Sequence, residues 1–558
     1  MQSRKLTKTL AVVILSLLLL TACSSNQTAT NSTPGSEQTA DKPGFGGTLR
    51  IGMTADPDTL NPLVSNTTPG NWVNSLIYPH LMTMNIEGNK VPDIADSVQV
   101  SNDGKLVTFK LRSGLHWQDG QPLTSADVKF TGEYLVKHKL QWTSEIFDQV
   151  ESVETPDELT VTYKLKQPYP SFVGTVGYWI RIVPKHIWEK VSDPKNFDNK
   201  EPIGAGPFAF VKWEKGQYVE LKAANEWFSA PERRPYLDKV IFKIYPDINT
   251  MVLALQADEI DVTAQDIPMS AVRQLETNEA IQIVQTPSLG YAYYSFNLNP
   301  KRAPLPTQDK NFRLAMAMAT DKKTIINVGL EGAGIDIDTP ISPVFADWVN
   351  PKAKAPAYDV AKAKELLAKA GYKDSDGNGI INAPEQYGGK NVELKLMYDS
   401  ANAFHQKIAK ILVKNASEIS VKLVPVPVEF NTLNSKIFNE KDFEMHIGRW
   451  GVLDEQSELM QSLFDSEASL NFTGLKSQEL DNIVRAAKFA PTKEKSREKV
   501  FAAQEWFVTE FPVVPIYVQK FNLAYNSEKF DGFKLYPSDL QGLVDPNSLA
   551  SVYQKKQR

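Results

Sequence analysis

Apolar residues follow three patterns along this chain. Residues 10–20, LAVVILSLLLL, form one nearly unbroken apolar run, and no second long run follows it. Beyond it the pattern shortens into alternating stretches and stretches of helical spacing. Residues 48–53 read as a short strand, after which Pro57, Asn61 and Pro62 mark a loop. Val98 and Val100, then residues 106–111, alternate on either side of Asn102-Asp103-Gly104, a hairpin turn signal. Asp119-Gly120 marks another turn, and Thr124 with Asp127 three residues on opens a helix on which Ala126, Phe130 and Tyr134 share a face. Residues 291–297, 443–447 and 513–525 read as strands, and residues 312–326 begin a helical stretch.

The apolar run changes meaning through its flanks. Arg4, Lys5 and Lys8 precede it, and Leu20-Thr21-Ala22-Cys23 closes it with the only cysteine of the chain, which therefore has no internal disulfide partner. Eleven residues fall short of the roughly 20 that a helix needs to cross a bilayer, so the segment reads as an export leader, residues 1–22. The four residues resemble the lipobox of bacterial lipoprotein signal peptides, which implies that Cys23 is lipidated and becomes the mature N-terminus on the extracytoplasmic face of a bacterial membrane. Residues 23–45 then form a disordered tether. From Ser24 to about Lys42 they are rich in Ser, Thr, Asn, Gln, Pro and Gly, with no aromatic residue and almost nothing to bury.

Charge and length narrow the function classes. The net charge is −5, and loss of the three basic leader residues takes it to −8. A mildly acidic chain without a basic patch is not built for nucleic acid. More than 500 mature residues exceed the roughly 250 to 300 that one core serves, so two or more lobes are expected. Catalytic signatures are missing: the six histidines are scattered, without an HExxH pair, a GxSxG elbow or a GxxxxGK[ST] loop.

The stretch from Ala95 to Tyr134 carries a more specific pattern. Its Ser101 to Gly104 turn, the strand Thr108 to Leu111 with Arg112, and the run Leu115-His116-Trp117-Gln118-Asp119-Gly120 resemble, in order and spacing, the signature of extracytoplasmic solute-binding proteins that serve peptide and nickel ABC importers. The resemblance continues through Pro184 to Trp188, Pro202 to Phe208, and Leu255 to Asp261, where Asp258 stands in place of a customary glycine. It implies an α/β, two-lobed periplasmic-binding-protein-like fold with an extra β-rich subdomain in the first lobe. On that reading, lobe I comprises residues 46–95, 205–295 and 526–558, the subdomain residues 96–204, and lobe II residues 296–525, with a hinge near Ser295.

The same resemblance implies a lipid-anchored, monomeric, non-enzymatic receptor that binds a small peptide and hands it to membrane permease subunits. Ligand contacts are expected from Ser65, Asn66, Thr67 and Thr68 through the backbone, and from Trp450, Gly451 and Asp454, with Asp454 as partner of a ligand ammonium group. A nickel-chelate receptor, an oligosaccharide receptor of the same fold and an enzyme are the alternatives. No cofactor is required. The loop 374–385 nevertheless has the spacing of a calcium loop, with Asp374, Asp376, Asn378, Ile380, Asn382 and Glu385 as ligands of a structural Ca2+. Pro384 and Gly388-Gly389 argue against an exiting helix there, so an ordinary Asp/Asn/Gly turn competes with it.

Overall fold

The computed structural model describes residues 43–556, except 141, 231–232 and 538–540. The leader, Cys23 and most of the tether lie outside the described residues. Ten strands form one continuous hydrogen-bonded path in the order 422–428, 393–399, 445–449, 292–296, 513–526, 262–263, 48–53, 239–244, 218–223 and 208–214. The strand Val513–Asn526 is the member shared by the two halves. Its first part pairs antiparallel with Ala292–Phe296 and its last part with Ile281–Pro287. The chain therefore crosses between lobes at residues 288–291, where Ser288 N–H donates to the Gln519 carbonyl at 2.8 Å. That is a few residues before Ser295, which is buried within the second lobe's sheet opposite His446.

Two large apolar cores flank this path. One gathers Leu49, Ile51, Trp72, Phe109, Trp117, Trp188 and Phe242, the other Tyr294, Phe296, Phe312, Leu396, Ile447 and Phe507. The first lobe carries a separate four-stranded antiparallel sheet in the order 95–100, 106–111, 160–165, 150–157. Its hairpin turns at Gly104, whose φ of 70° lies in the region that glycine enters without strain.

Local chemistry sets the element ends. Thr124 and Asp127 form a reciprocal capping box on the helix Ser125–His138, as the T-x-x-D spacing predicts. Ala126 is exposed and Phe130 half-buried, while Val128, Thr131, Tyr134 and Leu135 face inward, because Asp127 is drawn in to receive the Lys185 N–H at 2.9 Å. Asp258 adopts φ 61°, the left-handed conformation its place at a helix end requires, and its carboxylate pairs with Arg50 at 3.2 Å and with Lys529.

Two buried carboxylates make this lobe sensitive to pH. Burial pushes Asp93 up to about 7, with the charge of Asp545 adding to it, and burial also pushes Asp545 up to about 7. Both folded-state values stand above the unfolded value of ~3.9. The stability these groups contribute is therefore full below about pH 4 and is lost as the pH rises through 7. Asp545→Asn removes one of the two titrations and retains an acceptor for the Asn547 N–H, 2.8 Å away. Calorimetry should show a smaller fall in melting temperature between roughly pH 5 and pH 8 in the variant than in the wild type. An equal fall in both would contradict this account.

Candidate ligand site between the lobes

A cavity of about 630 Å³ lies where the lobes face each other. Its first-lobe wall comes from the hairpin that ends at Lys90, from the turn at Ser101 and Gly104, and from residues 169–174. Its second-lobe wall comes from residues 344–348, 454–457 and 491–494. The volume is within the range usual for pockets that enclose small ligands.

The charged part of the wall is assembled from both lobes. Met82–Met84 and Lys90–Pro92 form a short hairpin that delivers Lys90. Residues 450–455 run from the strand Met445–Arg449 to the helix Gln456–Phe464 and place Asp454 and Glu455 just ahead of that helix, where its dipole favours negative charge. Lys90 Nζ lies 2.9 Å from Asp454 Oδ2 and also contacts Glu455. The Trp179 indole N–H donates to the same Asp454 Oδ2 at 2.9 Å. Burial opposes the charge on Lys90, but Asp454 and Glu455 outweigh it, and its pKa is raised. Burial pushes Glu455 the other way, up to about 7, although Lys90 pulls against it. Gly174 makes room for this cluster, since a Cβ there would lie 1.8 Å from Glu455 Oε1. Two further contacts continue the seam: Tyr169 O–H donates to Glu458 Oε2 at 2.6 Å, and the Ser171 and Ser457 hydroxyls are 3.1 Å apart.

The expected site residues fall into three places. Asp454 lines the cavity, already paired with Lys90. Trp450 and Gly451 lie further along the same segment. The half-buried Trp450 ring stacks on Tyr293 at 6.4 Å beside Phe438 and Phe472, and the Trp450 backbone N–H donates to the Tyr291 carbonyl at 2.9 Å. Gly290 permits that approach: a Cβ there would lie 1.8 Å from the Gly451 carbonyl oxygen. Ser65 to Thr68 do not wall the cavity. They wrap the Asp58 carboxylate, which accepts from Ser65 Oγ at 2.7 Å, Asn66 N at 3.0 Å and Thr67 Oγ1 at 2.8 Å. Burial works against that charge, yet the Asn66, Ser65 and Thr67 donors prevail and hold the Asp58 carboxyl below its usual range. Thr67 also caps the helix Thr68–Ile77.

The calcium-like loop satisfies its own carboxylates. Asp374 accepts backbone N–H groups from Gly377 and Gly379 at 2.8 and 2.9 Å, and Asp376 accepts the Asn378 side-chain amide at 2.9 Å. Glu385 opens a separate short turn, Glu385–Tyr387. Among the described residues no three or more His, Cys, Asp or Glu side chains are grouped to hold a metal ion. Ser295 and His446 form a buried pair. Burial drives His446 down to about 3, and the two groups knit adjacent strands together.

Sequence reasoning missed Lys90, Trp179 and Arg181. Arg181 is a buried cation that reaches Asn71 beside the Asp58 turn, and burial lowers its pKa to about 10. No local motif marks any of the three, because each gains its role from a partner far away in the chain.

Two lobes joined by crossing strands around a cavity walled from both sides are the architecture of a solute-binding protein. Residues 89–471 match the family of bacterial extracellular solute-binding proteins, family 5, and the chain belongs to that family. It is similar to the oligopeptide-binding protein AppA of Bacillus subtilis, 28% identical over 541 residues that cover 95% of this chain and 96% of that one. The solved structure of the B. subtilis AppA complex with a nonapeptide matches 92% of this chain and all of that one at 26% identity, with a TM-score of 0.69. The substrate-binding protein CtaP of Listeria monocytogenes matches 92% of this chain and all of that one at 27% identity, with a TM-score of 0.78. Among the described residues no helix is long and apolar enough to cross a membrane.

Proposed function

We propose that this protein captures oligopeptides between its lobes and delivers them to the permease of an ABC importer, as a monomer tethered to the membrane through lipid on Cys23. The observation that carries the reading is the cavity walled by both lobes, because only such a site converts ligand binding into lobe closure that a permease can sense. The similarity to a protein solved with a nonapeptide supports peptide as the ligand class. Asp454 belongs to the acidic wall of the cavity, whereas the Trp450 shelf, Gly451 and the backbone at Ser65 to Thr68 lie outside its lining and meet the peptide main chain only where it extends past that wall. No cofactor is needed, and the loop 374–385 acts as a self-capped turn.

Three measurements test this. A library of random hexapeptides should raise the melting temperature by binding the folded form, while nickel chelates and oligosaccharides leave it unchanged. Trp450→Ala should weaken library binding about tenfold, a loss of ~1.4 kcal/mol. No shift with peptides, or a shift with a chelate alone, refutes the peptide reading. Cys23→Ser should move the protein from the membrane fraction to the soluble fraction, since more than one acyl chain is needed for stable anchoring. Undiminished membrane retention would rule out the lipid. For the loop, chelator should leave the melting temperature unchanged, whereas Asp374→Ala should lower it by removing the acceptor of its backbone N–H groups. A chelator-induced fall in the wild type that is absent from the variant would show a bound cation instead.

A further inference from the structure

One strip of contact between the lobes carries a buried cluster of charges. Residues 454–458 meet Lys90, Tyr169, Ser171 and Trp179 of the first lobe. Most of these contacts are neutral or have a charge on one side only. At Asp454 a full ion pair has been taken out of water, with side-chain exposures of 12% for Lys90 and 7% for Asp454. A carboxylate buried to that degree demands a cation, because an unpaired charge in such a place is among the costliest arrangements in a protein. Asp454 receives its cation from within the chain. Lys90 Nζ and the Trp179 indole N–H both reach Oδ2 at 2.9 Å, and the indole also lies 3.2 Å from Oδ1. The Lys90 ammonium is held in place by Glu455 and by the Tyr178 ring, whose centre is 5.5 Å away. Gly174 keeps the spot clear: a Cβ there would come within 2.8 Å of Lys90 Nζ.

We infer that Lys90 is the resident cation of the Asp454 wall: it pins the two lobes together and fills the place that a ligand ammonium group would otherwise take. Lys90 is thus a specificity-determining residue. The site accepts peptides without regard to the charge of their N-terminal amine, whether free or blocked. This ligand class rests on the peptide reading above, whereas the pin does not.

Two experiments test the inference. In the first, calorimetry compares a random hexapeptide library with its N-acetylated counterpart. Wild type should bind both within about threefold. Lys90→Met vacates the place, and the free-amine library should then bind at least tenfold tighter than the acetylated one, since a charge-assisted hydrogen bond contributes about that much. Lys90→Arg, which keeps the charge, should restore near-equality. A tenfold preference for free amines in the wild type, or an unchanged ratio in Lys90→Met, overturns the inference. In the second, melting temperatures of Lys90→Met, Asp454→Asn and the double variant are compared without added peptide. A double variant no less stable than its weaker single parent supports the pin, and additive losses overturn it. If neither library binds the wild type, the peptide reading fails and the second experiment alone decides the pin.

Discussion

One strand has to satisfy two sheets at once. Val513–Asn526 offers its first residues to Ala292–Phe296 and its last to Ile281–Pro287, Val262 and the rest of the first lobe's sheet. Every backbone donor and acceptor along a buried strand needs a partner. The two lobes are therefore not independent domains on a loose linker, and their relative movement is confined to the few residues where pairing passes from one sheet to the other. Ser288 and Gly290 lie in that passage. Ser288 Oγ receives Arg449 Nη2 at 3.0 Å, and Gly290 packs against the carbonyls of Trp450 and Gly451. The crossing and the segment that leads to Asp454 are thus in direct contact.

That contact joins the fold to the electrostatics of the cavity. The segment leaving Met445–Arg449 passes the crossing, lays Trp450 on Tyr293, and ends with two carboxylates ahead of a helix. Lys90 approaches them from the other lobe on a hairpin too short to be stable alone. The hairpin is held by burial of its own Met82 and Met84. A buried ion pair contributes little net stability once desolvation is counted, but it discriminates strongly between arrangements that complete it and arrangements that break it. Placed between lobes, such a pair distinguishes closed from open.

How much of this was legible depended on range. The hairpin at Asn102-Asp103-Gly104, the Thr124–Asp127 capping box and the left-handed Asp258 are all decided by residues within a few positions of one another, and each stands in the structure. The α/β class with its extra antiparallel sheet was legible from the same short-range signals combined with the family resemblance. Less was legible where a second neighbour intervened: Lys185 draws Asp127 inward while Ala126 faces solvent, and the chain crosses a few residues before Ser295, which pairs with His446.

The site shows the same division. The family resemblance marked Trp450 and Asp454 at a strand end and Ser65 to Thr68 as ligand contacts, and composition alone excluded a basic, nucleic-acid-binding surface. Only the tertiary structure decided what those groups face. It turned Ser65, Asn66 and Thr67 onto Asp58, folded residues 374–385 into a turn in which Asp374 accepts backbone N–H groups, and set Lys90 against Asp454 and Glu455, the latter 365 positions away. The reason is physical: turns and caps are settled by bonds between chain neighbours, which spacing encodes, whereas a buried charge is settled by whichever opposite charge the packing of the whole chain brings within reach.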